Sequence, residues 1–215
     1  MTSGQYWGMD FRWAYKSAVT VFTDLVIRIP GDRWDGAGLG EWSLRDLVGH
    51  TVSSALHQVP GVLASPAPSV VLDSAEAFWG FARSVPPEVY AAYSVASSED
   101  ARKAGEALGD DPGAAVIDFA RKATQALSAA GDADVIASPG GGMRVRDWIP
   151  TRTFELVVHG LDVAAAANVP VEFAGQVVTD VTLQAAKTAA TGPEAAFLLR
   201  ALTGRATLPT GFSVV

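Results

Sequence analysis

The stretch RTFELVVHGLD, residues 152–162, decides how this chain is read. Glu155 and His159 stand four residues apart, so on an α-helix both side chains leave the same face. Arg152 and Asp162 extend that row at either end, while Phe154, Val157, Val158 and Leu161 cover the other sides. A narrow row of ionisable groups on an otherwise apolar, alanine-rich helix points to a site. His50 lies in an earlier segment of the same character, where Asp46, His50, Ser53 and His57 form one row among Leu44, Leu47, Val48, Val52 and Leu56. If the two rows face each other across a bundle, His50, Glu155 and His159 converge. Two imidazoles and one carboxylate make a three-ligand metal site with a coordination position left open. Such ligands suit zinc best and also accept nickel, iron or manganese. Arg152 and Asp162 are the candidates to act beside the metal. The carboxylate can accept the distal N–H of a histidine, and the guanidinium can neutralise an anionic ligand. The competing reading is plainer: a Glu-x-x-x-His pair is often a solvated helix face, and a lone His50 an ordinary core or surface residue.

Outward from residues 152–162 the punctuation is helical. Apolar residues recur at helical period over 10–29, where Pro30-Gly31 ends the run. Ser43 with Asp46 three residues on forms a capping-box pattern that opens a helix over 44–59, stopped by Pro60-Gly61. A short helix over 74–84, a third region over 86–108, and a helix over 112–130 with proline at its first position follow. SPGGGMRVR reads as a glycine-rich connector, and the helix carrying Glu155 spans 146–168 with Pro150 near its first turn. Further helices are expected over 175–190 and 193–203, then an irregular tail or one short strand. Strand-like alternation is almost absent. The chain therefore reads as all-α: a four-helix bundle over 10–170, with a short helical extension over 171–215 packed on it.

Composition bounds the partners. The chain is 49% apolar and 18% charged, with a formal net charge of −7. That balance describes a well-buried globular protein and argues against nucleic acid or an anionic membrane as partner. There is no cysteine, so disulfides, thiolate metal sites and a cysteine nucleophile are excluded. The first eight or nine residues read as a loose leader without a secretory pattern, and no apolar run reaches the length of a membrane span. A cytoplasmic protein is expected, with a homodimer left open. GGGMR at 140–144 follows no strand pattern and lacks Gly-Lys-Ser/Thr, so it is not read as a phosphate loop.

Four segments together resemble the mycothiol-dependent maleylpyruvate isomerase-like family, whose fold is a DinB-like four-helix bundle. In RWDGAGLGEWSLRDLVGH the matching positions are Trp34, Asp35, Trp42, Ser43, Arg45, Asp46 and His50. In TRTFELVVHGLDVA they are Arg152, Glu155, His159 and Asp162. The first-helix pattern and Gly204-Arg205 near the end are the other two. The resemblance implies a divalent metal, usually zinc, on His50, Glu155 and His159, with a thiol cosubstrate of the mycothiol type at the open position. A cation would hold that thiol as thiolate at neutral pH, ready to add to or displace a group from an electrophilic small molecule. The expected activity is a metal-dependent thiol transferase or isomerase. Two alternatives stand beside it: a metal-dependent hydrolase with metal-bound water as nucleophile, and a non-catalytic metal- or ligand-binding stress-response bundle. The family's isomerases carry a C-terminal domain that contributes an essential arginine. Only about 45 residues follow Pro170, too few for that domain, so Arg205 is not taken as its equivalent. His57 is expected to face solvent.

Overall fold

A computed structural model describes residues 10–214, apart from the side chains at positions 87 and 89–94. The leader expected over the first eight or nine residues lies outside the described residues. Helix α1 (Phe11–Ile27) begins where the Asp10 carboxylate accepts the Arg12 amide at 2.9 Å, and it buries Tyr15, Ala18, Phe22 and Leu25. Helix α2 (Leu44–Val52) opens on the capping box: the Ser43 hydroxyl accepts from the Asp46 amide and the Asp46 carboxylate from the Ser43 amide, each at 3.1 Å. The expected stop at Pro60 is overturned. The helix widens into a π turn, Ser53–His57, and continues as α3 (Gln58–Leu63) through the proline. Proline offers no N–H and crowds the carbonyl four residues before it. A wide turn just upstream takes up one extra residue and gives that ring room.

Helices α4 (Ala75–Arg83), α5 (Pro87–Ala107) and α6 (Pro112–Ala129) lie near their expected bounds. Ser74 and Asp111 cap α4 and α6 through side-chain oxygens, and Pro112 takes the first position of α6. The glycine-rich connector belongs to an antiparallel hairpin of β1 (Val135–Ser138) and β2 (Gly141–Arg144), turning on Pro139-Gly140. Strands this short show no alternation in the sequence; they persist because a flanking segment pairs with them. The Ala67 amide donates to the Val135 carbonyl at 2.9 Å and the Val71 amide to that of Gly142 at 2.7 Å. Gly142 permits this approach, since a Cβ there would lie 1.9 Å from the Ser69 carbonyl oxygen.

Helix α7 (Val145–Ala167) ends on Asn168 in the left-handed conformation, and α8 (Gly175–Ala190) and α9 (Ala195–Leu202) follow it. Four rods close a ring: α1 packs on α6 and α7, and the rod formed by α2, the π turn and α3 packs on the same two. The remaining helices lie outside, α5 along α2, and α8 against α1, α4 and α7. The architecture is the expected all-α bundle, the hairpin being an accessory at the foot of α7. Because α7 has neighbours on several sides, its buried residues run right round it, from Trp148 and Ile149 through Leu156 and Val157 to Ala167. Among the described residues no helix is long and apolar enough to cross a membrane.

The α2–α5 crossing is close because both helices bring glycine to it. A Cβ at Gly49 would sit 2.2 Å from the Gly105 nitrogen and 2.8 Å from the Ala101 carbonyl oxygen. Gly49→Ala is therefore expected to lower stability by about 1–3 kcal/mol, because the backbones must part. Urea unfolding followed by circular dichroism measures it. An unchanged midpoint would mean that the crossing yields freely.

Candidate metal centre

The last turn of α2 and the middle of α7 meet inside the ring, and this brings the two rows together. His159 Nε2 lies 3.3 Å from Glu155 Oε2, and His50 Nε2 lies 3.9 Å from the same oxygen. The two imidazoles meet edge-on with centroids 5.0 Å apart. One ligand atom from each of the three residues falls within 4.8 Å of the others. Donors bound to a common ion at about 2.0–2.2 Å stand roughly 3–4 Å apart, so this trio fits a divalent cation with little movement. The second ring nitrogen of His159, Nδ1, is 3.2 Å from Asp162 Oδ2, which leaves Nε2 to face the trio. The side chains of His50, Glu155 and His159 keep 22%, 13% and 18% of their exposure, so the cluster is reached from solvent.

The electrostatics of the trio are uneven. Burial, reinforced by the charge of His159, pushes His50 down to about 4, so at neutral pH its ring is uncharged. Burial pushes Glu155 up, but the hydrogen bond from His159 and the nearby Arg152 outweigh it and hold the carboxyl at about 2. Burial also lowers His159, yet hydrogen bonds to Asp162 and Glu155 raise it to about 9. In this state a proton on His159 compensates two carboxylates. A cation would take over that compensation by displacing the proton.

Arg152 sits behind Glu155 and is 4% exposed. Its Nη1 donates to the Ser54 carbonyl at 2.7 Å and its Nε to Thr151 Oγ1 at 3.0 Å, while Nη2 lies 4.0 Å from Glu155 Oε1. The guanidinium also lies over the Phe78 and Trp148 rings, 5.4 and 5.5 Å from their centroids. The row expected on the second helix breaks at the π turn. Asp46 is spent on the cap, and His57 is exposed with its ring edge-on to Phe119 of α6 at 5.2 Å. Ser54, rather than Ser53, brings its hydroxyl to 3.4 Å from Glu155 Oε2. Arg205 is exposed and donates to the Thr203 carbonyl.

Two contributors escaped the reading of rows. Trp42 precedes the cap of α2, yet its ring folds back onto His50 at 4.8 Å between centroids while its Nε1–H donates to Ser98 Oγ on α5 at 3.1 Å. Ser54 was overlooked because α-helical spacing pointed to its neighbour.

Residues 16–164 match the family model of the mycothiol maleylpyruvate isomerase N-terminal domain. No curated protein and no solved structure matches the chain. The matched stretch contains His50, Arg152, Glu155, His159 and Asp162.

In the metal-free protein His159 is expected to titrate at about 9, and Asp162→Asn to bring it down towards the ordinary 6.5. Its folded value lies above its unfolded one. The stability it contributes is therefore present in full below about 6.5 and lost as pH rises through about 9. Imidazole nitrogen-15 NMR reads both variants directly; a His159 that already titrates near 6.5 in wild type would contradict this arrangement.

Proposed function

The chain belongs to the mycothiol maleylpyruvate isomerase N-terminal domain family, and from that premise we propose a metal-dependent enzyme that uses a low-molecular-weight thiol of the mycothiol type. It would act on an electrophilic small molecule by S-transfer or isomerisation. The observation that carries this reading is the convergence of His50, Glu155 and His159, from two separate rods, to within 4.8 Å.

A divalent cation held there, zinc suiting two imidazoles and a carboxylate best, would lower the pKa of an incoming thiol enough to keep it ionised at neutral pH. The chain has no cysteine, so the thiol must arrive with a ligand. Every other part is played by the protein's own side chains. His50 is already neutral and offers Nε2 without first losing a proton. Glu155 supplies the negative charge that draws a cation, and Oε2 is the oxygen facing both rings. Asp162 accepts from His159 Nδ1 and so fixes the ring's orientation and tautomer. Arg152 acts through Glu155, balancing its charge from the buried side. Trp42 walls one flank of His50 with an apolar face. The same donor set would also serve a hydrolase, for which water takes the place of the thiol.

Elemental analysis of wild type beside His159→Ala is the direct test. About one equivalent of divalent ion is expected in wild type, with affinity falling roughly tenfold or more in the variant. Equal metal content in the two proteins would remove His159 from the site. Consumption of an activated electrophile should then require mycothiol. Consumption with water alone would assign a hydrolase, and bound metal without turnover a binding protein.

A further inference from the structure

The π turn at Ser53–His57 sits at the point where the second rod meets α7. A π turn pairs a carbonyl with the amide five residues on, as the Gln58 amide does with the Ser53 carbonyl. The Ala55 carbonyl, inside the same turn, accepts from the Tyr15 hydroxyl of α1 at 2.7 Å, in the fully buried interior. The carbonyl before it, on Ser54, accepts from Arg152 Nη1 at 2.7 Å and from the side-chain amide of Gln58. Hydrogen bonds made in the interior are costly to lose, and two of those on the wide turn come from Tyr15 and Arg152, which reach it from two other rods of the ring.

The turn also changes what faces α7. It brings the Ser54 hydroxyl to 3.4 Å from Glu155 Oε2, while Arg152 Nη2 lies 4.0 Å from Oε1. The carboxylate is thus flanked on both of its oxygens by groups tied to the same turn. In an unbroken α-helix His57 would share the face of His50; here it is turned onto Phe119.

We propose that this π turn is a positioning device for the carboxylate of the trio: Arg152 and Ser54 orient Glu155 from the turn, and Tyr15 holds the turn open from α1. The inference rests on the reading of the trio as a metal site and adds the parts that set its geometry. Tyr15, Ser54 and Arg152 are positioning residues, acting on a bound ion through Glu155.

Cobalt(II) titration of the full chain, followed by visible absorption, tests this. Tyr15→Phe and Arg152→Lys should each weaken cobalt affinity roughly tenfold to a hundredfold, as loss of a group that orients a ligand does. At saturating cobalt the visible band should shift, which a mere loss of stability would not produce. Ser54→Ala should shift the band with a smaller loss of affinity, and His57→Ala should leave both unchanged. If Tyr15→Phe or Arg152→Lys fails to fold by circular dichroism, Ser54→Ala decides: a shifted band supports the role, and a wild-type band with wild-type affinity overturns it. Wild type that binds cobalt while folded variants match it in affinity and band overturns the positioning role alone. Wild type that binds no cobalt overturns both this role and the metal reading.

Discussion

Withdrawing the Glu155 carboxylate from water is the constraint from which the site follows. A carboxylate with 13% of its exposure left, on a helix buried on several sides, would take up a proton unless charge and hydrogen bonds compensated it. The compensation is generous: His159 at 3.3 Å, His50 at 3.9 Å and Arg152 at 4.0 Å surround the two oxygens. Its carboxyl is held at about 2 although burial pushes the other way. The same surroundings would suit a cation. One imidazole is already neutral, the other would give up a proton that an ion would replace, and Asp162 lies 3.2 Å from the far nitrogen of that second ring.

Holding His50 opposite Glu155 demands a close and defined contact between α2 and its neighbours. Gly49, immediately before His50, lets α5 approach until no Cβ fits, and Trp42 locks its indole N–H onto Ser98 of that helix. Across the ring, Tyr15 and Arg152 reach the π turn from α1 and α7. These contacts are specific in direction, unlike the apolar packing of Phe22, Leu25, Leu47 and Leu156 that fills the same interior. Packing supplies most of the cohesion; the hydrogen bonds to freed carbonyls choose one register for the second rod. In the proposed thiol-using reaction the sulfur would come from a ligand, since the chain has no cysteine.

Much of this was legible along the chain. The rows containing His50 and Glu155–His159 need nothing more than helical period, and the Ser43–Asp46 capping box, the Asp111-Pro112 start and the all-helical class need only near neighbours. Asp162 on His159 is a local pair three residues apart and was equally readable. What misled was extrapolation of the same period past residue 52. It placed Ser53 and His57 on the face of His50 and ended the helix at Pro60, whereas the rod continues to Leu63 with Ser54 turned to Glu155.

The sequence by itself determined which residues can share a helix face, where most helices begin, and that His50, Glu155 and His159 were candidates to converge. Those properties depend on neighbours within one or two turns, and the order of residues contains them. Tertiary structure decided the π turn, the return of Trp42 onto His50, the hairpin at residues 135–144, and the burial of Arg152 behind Glu155. Each of these requires a donor, an acceptor or a surface that the chain brings in from far away. The carbonyls of Ser54 and Ala55 find donors in the interior because Arg152, about a hundred residues on, and Tyr15, forty residues before, reach them there.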